Sequence, residues 1–246
     1  MNHNPATPLA GRHDPAKGNP IAPIRVLIAD DHTVLRQSLR YLLEAQPGLQ
    51  VVGEASTGRE AVELAEKLKP DVVLMDTIMP GLNGIEATRQ IRRALPKTKV
   101  LMLTGYMEDE HVAGALQAGA SGYVIKKSDM DELLLGIKAV HRGNPYFSSD
   151  IGDGDLTDYL WQLKSNAGRV GYELLTTRER EVLQLIAEGS SNQKIAKELF
   201  ISVKTVEAHR AHIMTKLHAK NRTDLIRYAI RKGLVSLDAV PIGEGA

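Results

Sequence analysis

Val72-Val73-Leu74-Met75-Asp76-Thr77-Ile78-Met79-Pro80-Gly81 is the stretch whose reading decides the fold. Its apolar run is short, rich in Val, Leu and Met, and stops on a carboxylate just before a Pro-Gly loop. A strand buried on both faces of a parallel sheet reads this way, without the alternation of a half-exposed strand. Four further runs share its character: Ile24–Ala29, Val51–Ala55, Val100–Thr104 and Tyr123–Ile125. Between the runs, apolar residues recur at three- and four-residue steps. Val34, Leu35, Leu39, Leu42 and Leu43 form one such set, and Ala61, Leu64, Ala65 and Leu68 the next. Ile85, Thr88 and Ile91 follow, then Val112, Ala115 and Leu116, then Leu133, Leu134, Ile137 and Val140. Ser128 with Asp131 makes a candidate capping box for the last of these helices. Five strands and five helices in strict alternation predict a doubly wound α/β domain over residues 24–142. Such sheets bind ligands beyond the carboxyl ends of their strands, where the strand order reverses.

The flanks differ in character. Residues 1–23 are rich in Asn, Pro, Gly and His, lack the apolar core of a secretory signal, and read as a disordered tail. Residues 143–170 read as a linker, with acidic Asp150, Asp153, Asp155 and Asp158 and a short helix around Leu156–Leu163. Residues 171–236 are helical throughout. Thr176 with Glu179 forms a capping box, and Val182, Leu183 and Ile186 mark a helix stopping at Gly189. Asn192 caps a short helix through Leu199, Ser202 a longer one to about His218, and a last helix runs from Arg222 to Gly233. Residues 237–246 are a C-terminal tail. The expected fold class is therefore α/β plus all-α.

Composition narrows the function. A chain of 246 residues suits two domains, and the absence of cysteine excludes disulfides and thiolate metal sites. No apolar run approaches the roughly 18 residues of a membrane span, so a cytoplasmic protein with no membrane partner is expected. The net charge of +1 is unevenly spread. Residues 171–236 carry 12 Lys or Arg against 7 Asp or Glu, whereas residues 24–142 carry 15 against 16. The positive excess sits where a polyanion can bind.

The strand ends carry the chemistry. The first strand ends at Asp30 and Asp31, the third at Asp76, the fourth at Thr104, and the fifth leads to Lys126. In a parallel sheet these tips lie side by side, so three carboxylates converge and repel unless a cation neutralises them. Oxygen ligands in that number suit Mg²⁺. Asp76 is then a nucleophile, with Thr104 and Lys126 positioning a phosphoryl group through a hydroxyl and a point charge. Taken singly, an Asp pair after a strand is a solvated turn and a lone Lys a surface charge. The order of all these features along the strands is what gives them weight.

Together, Ala29-Asp30-Asp31-His32, Met75 to Gly81, Leu103-Thr104 and Gly122-Tyr123-Val124-Ile125-Lys126 resemble the receiver domain of bacterial two-component response regulators, a flavodoxin-like (βα)5 fold. The resemblance implies a sensor histidine kinase as phosphodonor and Asp76 as acceptor. It implies Asp31 and Asp76 as direct Mg²⁺ ligands, Asp30 acting through water, and the backbone carbonyl of Ile78 completing the set. It further couples Thr104 to Tyr123 as a switch, in which Tyr123 fills the space Thr104 leaves when it captures a phosphoryl oxygen.

The C-terminal segment predicts a helix-turn-helix over Asn192 to Ala211, whose second helix enters the major groove. Ile195, Ala196 and Leu199 face inward, and Val203, Val206, Ile213 and Leu217 dock the second helix. The outer face is left to Lys204, Thr205, Glu207, Ala208, Ala211 and His212. Lys204, Arg210 and Lys216 suit phosphates, Glu207 a cytosine amino group, and Ala208 or Ala211 a thymine methyl. His209 either touches a phosphate or caps the core. The run Leu175 to Ala229 resembles the LuxR-type, four-helix DNA-binding domain of NarL/FixJ-class response regulators. That resemblance implies a transcription regulator that homodimerises on phosphorylation and binds inverted-repeat duplex DNA. It also implies release of the reading helix from the receiver, and dimer contacts through Leu225, Ile226 and Ala229. Two other readings compete. One is a phosphatase using an aspartate nucleophile, which ordinarily carries a second acid two residues on, where Ile78 stands. The other is a degenerate receiver that serves only to dimerise. On the main reading the chain is no enzyme beyond its own phosphorylation and dephosphorylation at Asp76.

Overall fold

The computed structural model describes residues 22–105, 109–148 and 171–235. The short helix and acidic patch expected in the linker, and nearly all of both tails, lie outside the described residues.

The first domain alternates as its pattern predicts: β1 (Ile24–Ala29), α1 (Thr33–Glu44), β2 (Leu49–Ala55), α2 (Gly58–Leu68), β3 (Val72–Asp76) and α3 (Gly84–Ala94). It continues with β4 (Lys99–Thr104), α4 (Asp109–Gln117), β5 (Gly122–Ile125) and α5 (Met130–His141). The sheet order is β2-β1-β3-β4-β5-β6, with every pair parallel. β6 (Tyr146–Phe147) was not expected, because two residues carry no readable period. It extends the sheet into the segment read as linker, and Ser148 Oγ accepts from the Ile125 amide at 3.2 Å.

Side chains of each strand alternate between two cores. Val26 and Ile28 join the cluster of Leu43, Leu74, Leu101 and Ile137, while Leu27 and Ala29 join that of Met75, Ile91, Met102 and Tyr123. Helices therefore cover both faces, which is why β3 is buried along its whole length. Each large aliphatic side chain so buried contributes roughly 1.5–3 kcal/mol. Asp129, rather than Ser128, caps α5 by accepting from the Glu132 amide at 2.8 Å.

The second domain packs α6 (Thr177–Ala187), α7 (Asn192–Glu198), α8 (Val203–Lys216) and α9 (Arg222–Arg231) around Leu183, Ile195, Val206, Ile213 and Leu225. The Thr176–Glu179 capping box forms as read, and Ser202 caps α8. Ser191, not Asn192, caps α7, since its hydroxyl accepts from the Lys194 amide. Val203 is exposed at the first turn of α8 instead of docking it; Val206 and Ile213 carry that packing.

Candidate functional site

β1 and β3 are neighbours, yet the chain leaves β1 for β2 on one side and returns through β3 on the other. The strand order therefore reverses between them, and their carboxyl ends open a crevice. The register pairs Ala29 with Met75, so Asp30 and Asp76 emerge at one level. Asp76 pairs with Leu103, setting Thr104 one step further along β4. The Lys126 amide donates to the Thr104 carbonyl at 2.6 Å, which closes the row. Close packing fixes the loop beyond β3. A Cβ on Gly84 would lie 1.7 Å from the Asp76 carbonyl oxygen, so only glycine lets α3 start this near the end of β3.

Lys126 Nζ stands 2.8 Å from Asp76 Oδ2 and 2.8 Å from Asp30 Oδ2. Asp30 and Asp76 are buried, as are Thr104 and Tyr123. Burial pushes the Asp76 carboxyl up to about 6 against the pull of Lys126, with Asp30 adding to the rise. Burial works against the charge of Lys126, but Asp76 and Asp30 outweigh it and hold the ammonium above its ordinary value. Asp30, Asp31, His32 and Asp76 each bring a ligand atom within 4.8 Å of the others. Ile78 lines a cavity together with Asp31, Met79 and Pro80. Three carboxylates facing one ammonium leave an excess of negative charge, and hard oxygen donors around it fit a divalent cation.

Sequence reasoning passed over His32. Its Nδ1 lies 2.9 Å from Asp31 Oδ1 and 3.2 Å from Asp30 Oδ1, and its amide donates to Asp30 Oδ1 at 2.8 Å. Its place directly after the Asp pair was the only signal. Tyr123 is turned into the core among Met75, Met102 and their neighbours.

The reading face of α8 is the opposite kind of surface. Lys204, Glu207, Ala208, Ala211 and His212 are exposed, while Thr205, His209 and Arg210 are half-buried. Lys216 is committed inward, with Nζ 2.6 Å from Glu179 Oε2. Burial alone would raise the Glu179 carboxyl, yet hydrogen bonds from Lys216 and Thr176 hold it below its ordinary value. The expectation that the receiver grips the reading helix does not match this arrangement, because α6 is the helix that docks.

That contact is a network of buried polar groups. Arg180 Nη1 lies 3.1 Å from Glu86 Oε2, and the Arg180 guanidinium stands 4.8 Å over the Tyr172 ring. Gln184 Oε1 accepts from the Asn83 amide at 2.8 Å, and its Nε2 donates to the Met79 carbonyl at 2.8 Å. Glu188 Oε1 accepts from the Gly81 amide at 2.9 Å, and burial raises that carboxyl above its ordinary value. None of these residues was singled out from sequence, since a polar stripe on a helix reads as a solvated face until its partner is seen.

A strand-end acidic crevice on a (βα)5 sheet, joined to a helix-turn-helix with an open outer face, defines a receiver coupled to a DNA-binding domain. Comparison with known proteins agrees. Residues 26–138 match the response regulator receiver domain, and residues 173–229 match the bacterial regulatory proteins of the luxR family. The chain is 45% identical over 213 residues to the transcriptional regulatory protein LiaR of Bacillus subtilis, covering 87% of this chain and 100% of that one. It is 39% identical over 215 residues to the oxygen regulatory protein NreC of Staphylococcus aureus, covering 86% and 99%. Among solved structures, RcsB from Salmonella enterica serovar Typhimurium, bound to promoter rprA in the presence of phosphomimetic BeF3−, matches with TM-score 0.55 and 27% identity. That match covers 84% of this chain and 98% of RcsB. The chain belongs to the LuxR-type response regulators, DNA-binding regulators of transcription with a receiver domain. The phosphatase reading gains no support from this family. Among the described residues, no helix is long and apolar enough to cross a membrane.

Proposed function

We propose that Asp76 accepts a phosphoryl group from the phosphohistidine of a sensor histidine kinase and that this controls promoter binding by a homodimer. The observation that carries the reading is the placement of Lys126 between Asp30 and Asp76, inside a cluster able to hold a cation. In the transfer an Asp76 oxygen attacks phosphorus and the P–N bond breaks. The bonding pair returns to the imidazole of the donor, and an acyl-phosphate remains on Asp76. Asp30, Asp31, Asp76 and the Ile78 carbonyl would hold Mg²⁺, which neutralises phosphoryl oxygens when bound. Lys126 pairs with one phosphoryl oxygen, and the Thr104 hydroxyl donates to another. The chain catalyses nothing beyond its own phosphorylation and dephosphorylation, and acts in the cytoplasm.

On the DNA side, α8 enters the major groove with Lys204 and Arg210 on phosphates, and with Glu207, Ala208 and Ala211 toward the bases. Thr205, His209 and His212 border that face. Lys216 joins the phosphate contacts only if it leaves Glu179. Two copies related by a two-fold axis, meeting through the outer face of α9 rather than through Leu225 and Ala229, which their own core buries, would read inverted half-sites about one helical turn apart. The domains behind this division are a receiver over residues 24–142, extended by β6, and a DNA-binding domain over residues 171–236. Incubation with phosphoramidate and Mg²⁺ followed by intact-mass measurement tests the acceptor. Wild type should gain one phosphoryl group and Asp76→Ala none. Undiminished labelling of Asp76→Ala would rule Asp76 out as the acceptor.

A further inference from the structure

The receiver's acceptor loop is held by the other domain. Between Asp76 and α3 the chain crosses Thr77 to Asn83, and three consecutive anchors on that stretch come from α6 or its cap. Gln184 takes the Met79 carbonyl and the Asn83 amide, and Glu188 takes the Gly81 amide. Gln184 also donates to Glu188 at 2.9 Å, so the two side chains act as one brace. Arg180 with Glu86, both almost fully buried, fastens the brace to α3 one turn further along. Breaking such a pair leaves an uncompensated buried charge, so this contact has a defined docked state rather than a loose approach.

The docked domain also walls a cavity beside the crevice, over Asp31 and the loop that follows Asp76. A cavity of about 250 Å³ is lined on one side by Asp31, Ile78, Met79 and Pro80, and on the other by Glu188, Ser190, Lys194 and Glu198. A small phosphodonor fits a space of that size. A histidine carried on the helix of another protein does not, because Glu188, Ser190, Lys194 and Glu198 stand across that space from Asp31 and Ile78. Meanwhile the reading face of α8 stays exposed. The contact therefore bears on the acceptor more directly than on the DNA-reading surface.

We infer that α6 of the DNA-binding domain is a gate on the acceptor site: docked, it holds the Met79–Asn83 loop and admits small phosphodonors while excluding a protein-borne phosphohistidine. Gln184 is a positioning residue in this arrangement, acting through the loop. The inference rests on Asp76 being the acceptor. Transfer from a protein then requires undocking, and its rate is scaled down in proportion to the fraction of molecules that are undocked.

The test compares two donors on the full-length chain, phosphoramidate and a purified phosphotransfer domain charged with phosphohistidine, each with Mg²⁺. Gln184→Ala and Arg180→Ala both open the gate by different routes, so misfolding of one leaves the other informative. The ratio of protein-donor rate to phosphoramidate rate should rise by about tenfold in both, as when a competent fraction below a tenth becomes dominant. A general loss of stability would slow both donors together and leave that ratio unmoved. An unchanged ratio in well-folded Gln184→Ala and Arg180→Ala, with Asp76→Ala unlabelled, would overturn the gate and leave the acceptor standing. Equal labelling of Asp76→Ala would instead remove the acceptor on which the gate depends.

Discussion

The strand-end crevice and the outer face of α8 hold comparable numbers of charged side chains, yet they are built on opposite principles. In the crevice, Asp30 and Asp76 are withdrawn from water, and the half-buried Lys126 bridges them at 2.8 Å from each. On α8, Lys204 and Glu207 stand in solvent, with their positions fixed only by the apolar residues Val206 and Ile213 beneath. Desolvated charges respond strongly to one added phosphoryl group or cation. Solvated charges respond to a whole polyanion and to salt. The difference separates a site for chemistry from a surface for recognition, and substitutions at particular residues test it.

The largest effect is expected at Gly84. A methyl group there meets the Asp76 carbonyl oxygen at 1.7 Å, so the β3–α3 backbone must shift. Gly84→Ala should cost about 3 kcal/mol in urea denaturation and abolish labelling of Asp76. Lys126→Ala comes next. It leaves two buried carboxylates without their ammonium, and phosphoramidate labelling should slow by about 100-fold, the usual loss for one electrostatic partner of a developing charge.

A smaller, pH-dependent effect is expected at Asp76 itself. Its carboxyl lies at about 6 in the folded chain against 3.8 as the ordinary value. The native state therefore holds a proton that the unfolded chain has released between those two values. Stability falls as pH rises through that window, and the loss persists above it. Asp76→Asn removes the penalty. In Mg²⁺-free buffer it should gain roughly 1–3 kcal/mol over wild type at pH 7.5 and almost nothing at pH 4, read by thermal melting. A constant difference across that range would show that the crevice does not desolvate its acceptor.

On the recognition side the effects are milder. Lys204→Ala should weaken binding across duplex sequences and flatten the slope of log affinity against log salt by about 0.9, the contribution of one neutralised phosphate. The same measurement on Lys216→Ala should leave the slope nearly unchanged, because Glu179 already holds that ammonium.

These contrasts also explain what sequence could and could not reveal. The central strands were legible because residues buried on both faces form apolar runs, and the crevice because its residues sit where those runs end. The edge strand β2, with Gln50 exposed and Glu54 half-buried, was read two residues short at its start. β6 was hidden by its length, and the start of α7 by two adjacent residues, Ser191 and Asn192, that are equally good caps. The gate was hidden for a deeper reason. Glu86, Arg180 and Gln184 lie on the polar faces of α3 and α6, and hydropathy cannot distinguish a face turned to water from one turned to another polar face. His32 was illegible alone, since its contacts to Asp30 and Asp31 depend on the turn into α1.

On the function proposed above, chemistry in the buried crevice governs the exposed surface. The most direct measurement is the affinity of wild type and Asp76→Ala for a duplex selected from random sequences, each with and without phosphoramidate and Mg²⁺. Wild type should bind more tightly after treatment, with the increase carried by a dimer, while Asp76→Ala stays at its untreated affinity. An equal gain in Asp76→Ala, or none in a fully phosphorylated wild type, would contradict the claim.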